Sequence, residues 1–275
     1  ATMAKARVGS LRPSRDAQEV QGWMAETTEA VSVFLHKGAL PLGSFYDVDA
    51  AVHLAMKGGT LTMKQLLEVL YDLQVARNAV RFLESDLPPL PIIQGLAEVL
   101  RVHRRLEEEI DRSILSEDEM ADSASPELRS IRRKIALQNE AIRNRMNSIL
   151  SSADNRTMLQ DAIVTLRQGR YVIPVKQEHK NRFPGIIHDQ SSTGATLFIE
   201  PQVIVDMNNA LRELELAERR EMERILAQLS AEVADVGEEI RNNQRILVEL
   251  DLLFAKGKLS TAMRGEAPEI GGDGP

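Results

Sequence analysis

Apolar positions along the chain keep mostly to helical spacing, interrupted by one block of strand-like residues between positions 160 and 201. Asp16 with Glu19 forms a helix-start pattern, and Val20, Trp23, Met24, Val31 and Leu35 follow it. Gly38 stands where a helix-ending glycine belongs. Pro41 to Tyr46 reads as a loop, Asp49 to Lys57 as a short helix stopped by Gly58-Gly59, and Thr62 with Gln65 as the start of a helix reaching Phe82 or Glu84. Leu87-Pro-Pro-Leu-Pro91 breaks the chain. The pattern predicts one further helix from about Ile92 to Arg112, then a polar loop from Ser113 to Ser123. Ser125-Pro126 supplies an N-cap and a first-turn proline. Leu128, Ile131, Ile135, Ile142, Met146 and Ile149 then carry a helix to about Met158, on the order of 50 Å at 1.5 Å per residue.

Two hairpins are expected next. Ala162–Leu166 and Tyr171–Val175 flank Gln168-Gly169, while Gly185–His188 and Ala195–Ile199 flank Ser191–Gly194. Pro174 places its strand at a sheet edge, because proline cannot donate to a ladder. From Gln202 the helical period resumes through Leu211, Leu214, Met222, Ile225, Leu229, Val233, Val236, Ile240, Leu247, Leu250 and Phe254, with Gly237 as its one weak interior point. A helix of roughly 60 residues would measure about 90 Å and must pack against other helices.

The expected fold is therefore mainly α. A helical core (1–124) sends out a lever helix (125–159), a small antiparallel β clamp sits at the tip (160–201), a long helix returns antiparallel to the first (202–265), and 266–275 forms a frayed tail or truncation point. Such an arm suits reaching, clamping or passing on movement better than active-site chemistry.

Composition narrows the function. Cysteine is absent, which removes disulfides, thiolate metal sites and thiol nucleophiles and fits a cytoplasmic location. No apolar run approaches the ~20 residues that span a bilayer, so no membrane partner is expected. The net charge of −7 is unevenly spread. Arg129 to Arg182 holds twelve Lys/Arg against four Asp/Glu, about +8, which leaves about −15 on the rest. Arg132, Arg133 and Lys134 lie near the foot of the outgoing helix, Arg143 and Arg145 lie further along, and Lys176, His179, Lys180 and Arg182 cluster between the hairpins. These nine are the candidate nucleic-acid-binding residues, by phosphate contact rather than base reading. A solvated helix face followed by a basic hairpin is the bland alternative.

Motifs for catalysis are missing. Gly257-Lys258-Leu259-Ser260 lacks the first glycine of a phosphate-binding loop and lies in a helical pattern. His36, His53, His103, His179 and His188 show no zinc-ligand spacing. His188-Asp189 beside Ser191-Ser192 reads as hydrogen bonding within a turn, without the G-x-S-x-G elbow of a hydrolase. Asn155-Arg-Thr157 is a chance glycosylation sequon. Glu107–Glu109 and Glu238-Glu239 are solvated or ion-paired helix faces. Phe183 and Tyr171 could stack on bases but fit better as hairpin core.

Three runs carry a family resemblance: Asp122-Ser-Ala-Ser-Pro-Glu-Leu-Arg-Ser-Ile-Arg-Arg133, Gly169-Arg-Tyr-Val-Ile-Pro-Val-Lys176, and above all Pro184-Gly-Ile-Ile-His-Asp-Gln-Ser-Ser-Thr-Gly-Ala-Thr-Leu-Phe-Ile-Glu-Pro201. With Asn208–Leu214 and Leu247–Asp251 they resemble the MutS-II subfamily of the MutS family, paralogues associated with recombination suppression. Lys37–Gly43 is similar more loosely. The resemblance implies a core, lever and clamp segment that precedes an ABC-type ATPase and a Smr nuclease module. It implies no catalytic residue, metal or cofactor within this chain; ATP and magnesium belong to the ATPase. Branched DNA, or structured RNA on a ribosome, is the implied partner, with a homodimer in the whole protein. The competing expectation is a helical interaction scaffold or dimerisation arm.

Overall fold

A computed structural model describes residues 2–43, 45–84 and 87–270. Ser44, Ser85 and Asp86 therefore lie outside the described residues, as does the Gly271–Pro275 end of the expected tail. The chain divides into two units. One runs to Ala121 and resumes at Ile225; the other comprises Asp122–Arg224. Among the described residues no helix is long and apolar enough to cross a membrane.

The first unit is helical: α1 (Thr2–Gly9), α2 (Ala17–Lys37), α3 (Asp49–Met56), α4 (Met63–Leu83), α5 (Pro91–Val99), α6 (Arg104–Ser113) and, near the C-terminus, α10 (Gly237–Met263). The start signals read from sequence do the expected work. The Asp16 carboxylate accepts from the Gln18 and Glu19 amides, and Thr62 and Gln65 form a reciprocal capping box. Gly38 closes α2 at φ 82°, a left-handed value that glycine adopts without a Cβ clash. Ala30, Val33, Ala76, Ala79, Ile93, Leu247, Leu250 and Leu253 meet in one buried core.

Two expected helices are broken, the first by a partner remote in sequence. The Ile92–Arg112 span stops at Val99 and restarts at Arg104, because Leu100 turns extended and the Asn243 side chain holds the Arg101 backbone. Asn243 accepts from the Arg101 amide at 2.9 Å and donates to its carbonyl at 2.7 Å, replacing helical bonds with tertiary ones. The 60-residue return helix is two helices, α9 (Val205–Asp235) and α10, parted at Val236. A Cβ on Gly237 would lie 2.7 Å from the Met56 sulfur, so glycine is what lets α10 approach α3. A Cβ on Gly257 would likewise lie 3.0 Å from the Ala30 backbone, so glycine lets α10 lie close on α2. The C-terminal stretch read as a lever is thus core of the first unit from Ile225 on.

Two of the carboxylates buried in the first unit, Glu29 and Asp72, differ in how they are satisfied. Glu29 is well used: it accepts from the Ile92 and Ile93 amides at 2.9–3.1 Å and so caps α5, whose own N-cap, Leu90, has no side chain to do it. Asp72 is fully buried with neither oxygen hydrogen-bonded in good geometry, and the nearby Gln244 amide donates to the Tyr46 carbonyl at 2.6 Å. Desolvation pushes its pKa up to about 7. The group ionises from about pH 4 in the unfolded chain but only near 7 in the fold, so stability falls through that window. The loss reaches about 4 kcal/mol above it. Urea midpoints at pH 5 and pH 8 should differ in the wild type, and the Asp72→Asn variant should remove most of that difference.

In the second unit, α7 (Pro126–Ser151) and the first part of α9 run antiparallel: Ser125 bonds Glu221, Arg132 meets Glu218, and Gln138 reaches the Met207 carbonyl. At 26 residues α7 is about 39 Å long and ends seven residues before the expected stop. The Asn155 side chain donates to the Ile149 carbonyl at 3.0 Å, ending the helix before a short α8 (Ala153–Arg156). The four strands are β1 (Thr165–Arg167), β2 (Arg170–Lys176), β3 (Gly185–Gln190) and β4 (Thr196–Pro201). Both expected hairpins are present, and β2 pairs β4 antiparallel to merge them into one sheet of order β1-β2-β4-β3. One sheet face, with Tyr171, Ile173, Val175, Leu197 and Ile199, packs against Ile142 and Met146 of α7 and Leu211 of α9.

Two strand details differ from expectation. β1 begins at Thr165, so Ala162–Val164 is not strand; instead Leu159 bridges to Val175. Pro174 stands in a central strand, paired with Phe198. Its carbonyl accepts from the Gln160 amide, so its nitrogen faces the gap between that contact and the last β1 pair at Val172. No ladder bond is asked of it there.

Candidate nucleic-acid interface

The apolar stripe of α7, from Leu128 and Ile131 through Ile142 and Met146, is turned inward and leaves its cations on the flanks. Arg133, Lys134, Arg143 and Arg145 are exposed. Arg143 and Arg145 are two residues, about 200°, apart round the helix, so they face different sides and cannot grip one phosphate. Arg132 has another role: its guanidinium sits 2.6 Å from Asp122 and 2.7 Å from Glu218, tying the foot of α7 to α9. It is committed to the fold and is the weakest of the nine candidates as a phosphate donor.

The other four candidates follow β2. The Lys176 ammonium donates to the Thr157 carbonyl at 3.3 Å, which leaves two of its protons for another acceptor. The His179 carbonyl accepts from the Arg182 and Phe183 amides, and this turn leaves Lys180 and Arg182 exposed. The His179 ring lies 3.4 Å from Glu178, which offsets any charge it carries. No ion pair holds Arg143, Arg145, Lys180 or Arg182 among the described residues. Arg145 also forms one wall of a groove of about 270 Å³, whose other walls include Ile149, Asn155, Phe183, Pro184 and Val203.

Sequence reasoning missed the buried polar network behind this surface. β3 carries a bulge at His188, whose Nε2 lies 2.5 Å from a fully buried Glu200 oxygen, so the residue belongs to this network and not to a turn. Arg170 and Asn208 each donate to the other Glu200 oxygen at 2.7 Å, and Arg170 also reaches Asn209 at 2.6 Å. The Asn208 amide accepts from the Tyr171 N–H and donates to its carbonyl, continuing the ladder where β4 gives out. Two of the twelve cations of the basic stretch are thus internal or stacked: Arg170 here, and Arg167, which lies 4.1 Å from the Phe198 ring centre and 3.2 Å from Asp189. Phe183 and Tyr171 are buried, and the Tyr171 hydroxyl donates to Asn139 at 2.6 Å, so neither offers an open stacking face.

No family model matches the chain. Curated relatives do. Endonuclease MutS2 of Alkaliphilus oremlandii is 45% identical over 271 residues, covering 98% of this chain and 34% of the relative. Endonuclease MutS2 of Clostridioides difficile is 45% identical over 269 residues, with 97% and 34% covered. That of a Geobacillus species is 40% identical over 270 residues, with the same coverage. The chain spans about a third of the length of these relatives. It belongs to the MutS2 branch of the MutS family, and corresponds to that third of its members.

Proposed function

We propose that the second unit is a nucleic-acid-contacting clamp, held by its two helices and serving a larger MutS2-type protein. The observation that carries this reading is the set of exposed cations in the second unit, Arg143, Arg145, Lys180 and Arg182, which have no ion pair among the described residues and are joined by Lys176, in an otherwise acidic chain. Cations placed like this bind phosphates by counterion release, which gives affinity without sequence preference. His179 assists only when protonated, and Arg133 and Lys134 extend the surface along α7.

This segment supplies grip and positioning. The cleaving activity named for the relatives, and an ATPase using ATP and magnesium, belong to the other two thirds of the whole protein, which acts as a homodimer. Branched DNA in recombination is the proposed ligand. A ligand ranking tests it: fluorescence anisotropy of a labelled four-way junction, a matched linear duplex and a structured RNA against this chain at about 50 mM salt. The junction should bind tightest. A higher affinity for the RNA would move the reading to a ribosomal partner, and equal weak binding by all three would remove the preference for branches.

A further inference from the structure

The groove beside Arg145 has features that phosphate contact does not require. Its volume of about 270 Å³ is small for a duplex, and Ile149, Phe183, Pro184 and Val203 give it apolar walls. Among the described residues Arg145 is the one charged group lining it and no carboxylate does, so its chemistry suits a ligand with a compact apolar body and an anionic group.

The walls are fixed before any ligand arrives. The Gln202 amide donates to the Pro184 carbonyl at 3.1 Å, and the Asn155 amide is held by the Ile149 carbonyl. Next to Pro184, Gly185 runs so close to β4 that a Cβ there would lie 2.3 Å from the Glu200 carbonyl oxygen. A concave, preformed, mainly apolar site with a few polar groups is the usual form of a small-ligand pocket.

We infer that this groove takes one unpaired nucleotide of the bound strand, its base against Ile149, Pro184 and Val203 and its phosphate on Arg145, with Arg182 holding the neighbouring phosphate. The inference rests on the clamp reading and adds to it a structural preference: strands with an unstacked base bind better than continuous duplex. The guanidinium of Arg145 can lie flat on a base as well as pair with phosphate, which suits a site that accepts any base.

The test uses this chain, a single strand carrying 2-aminopurine, and the same sequence closed as a duplex, followed by 2-aminopurine emission and by anisotropy. Two variants fill the groove from opposite sides, Val203→Trp and Ser148→Trp, both at exposed positions, with circular dichroism to check folding. The wild type should change the emission of the unpaired probe and prefer it over duplex on the order of tenfold, as one stacked base supplies. Both variants should lose that preference while keeping the salt slope. Binding with emission unchanged, or with the preference intact in both variants, overturns the groove and leaves the clamp standing. No binding of either probe at low salt removes the clamp reading and the groove together.

Discussion

Replacing Glu200 by alanine is expected to destabilise the second unit by about 3–5 kcal/mol, the usual cost of removing one partner of a buried charge pair. Glu200 has no solvent exposure, and its two oxygens receive Arg170, Asn208 and His188. Without it, Arg170 keeps a cation in a partly desolvated place and Asn208 loses one of its acceptors. The side chain of Arg170 retains some access to water, which sets the loss toward the lower end. Glu200→Gln keeps the shape and one acceptor oxygen, so it should cost less than alanine. Denaturant unfolding of both variants checks the order. A loss below about 1 kcal/mol for alanine would mean that the network does not hold the sheet to α9.

Removing five cations at once should have the largest effect on binding. Each phosphate contact contributes about 0.9 to the slope of log affinity against log salt. Arg143 and Arg145 face different sides of α7, so at most four of Arg143, Arg145, Lys176, Lys180 and Arg182 are expected to share one backbone. Alanine at all five should therefore flatten the slope by about 3 to 4. By the same relation, four contacts weaken wild-type binding by about a hundredfold between 50 and 200 mM salt. The substitutions fall on exposed or half-exposed side chains away from the Glu200 network, so unfolding midpoints should move little.

What the sequence made legible was local chemistry. Asp16, Thr62 and Ser125 announced their helices because a cap is decided within four residues, and Gln168-Gly169 and Ser191–Gly194 announced hairpins for the same reason. What stayed hidden was decided at a distance. Asn243 interrupts the helix at Arg101 from 142 positions away, and the approach of Gly237 to Met56 coincides with the split of the return helix. Pro174 read as an edge residue because sequence does not show where a neighbouring strand stops.

The candidate site divides in the same way. A count of charge found the basic stretch, yet no count could show that Glu218 and Asp122 claim Arg132, or that Glu200 claims Arg170. The groove beside Arg145 gathers residues from 145 to 203 and has no signature in any one segment.

The most direct measurement is the salt dependence of four-way-junction binding, compared between the wild-type chain and the five-alanine variant. A steep wild-type slope is expected, with the variant slope flatter by about 3 to 4 and folding intact. Equal slopes in the two proteins would contradict the clamp reading.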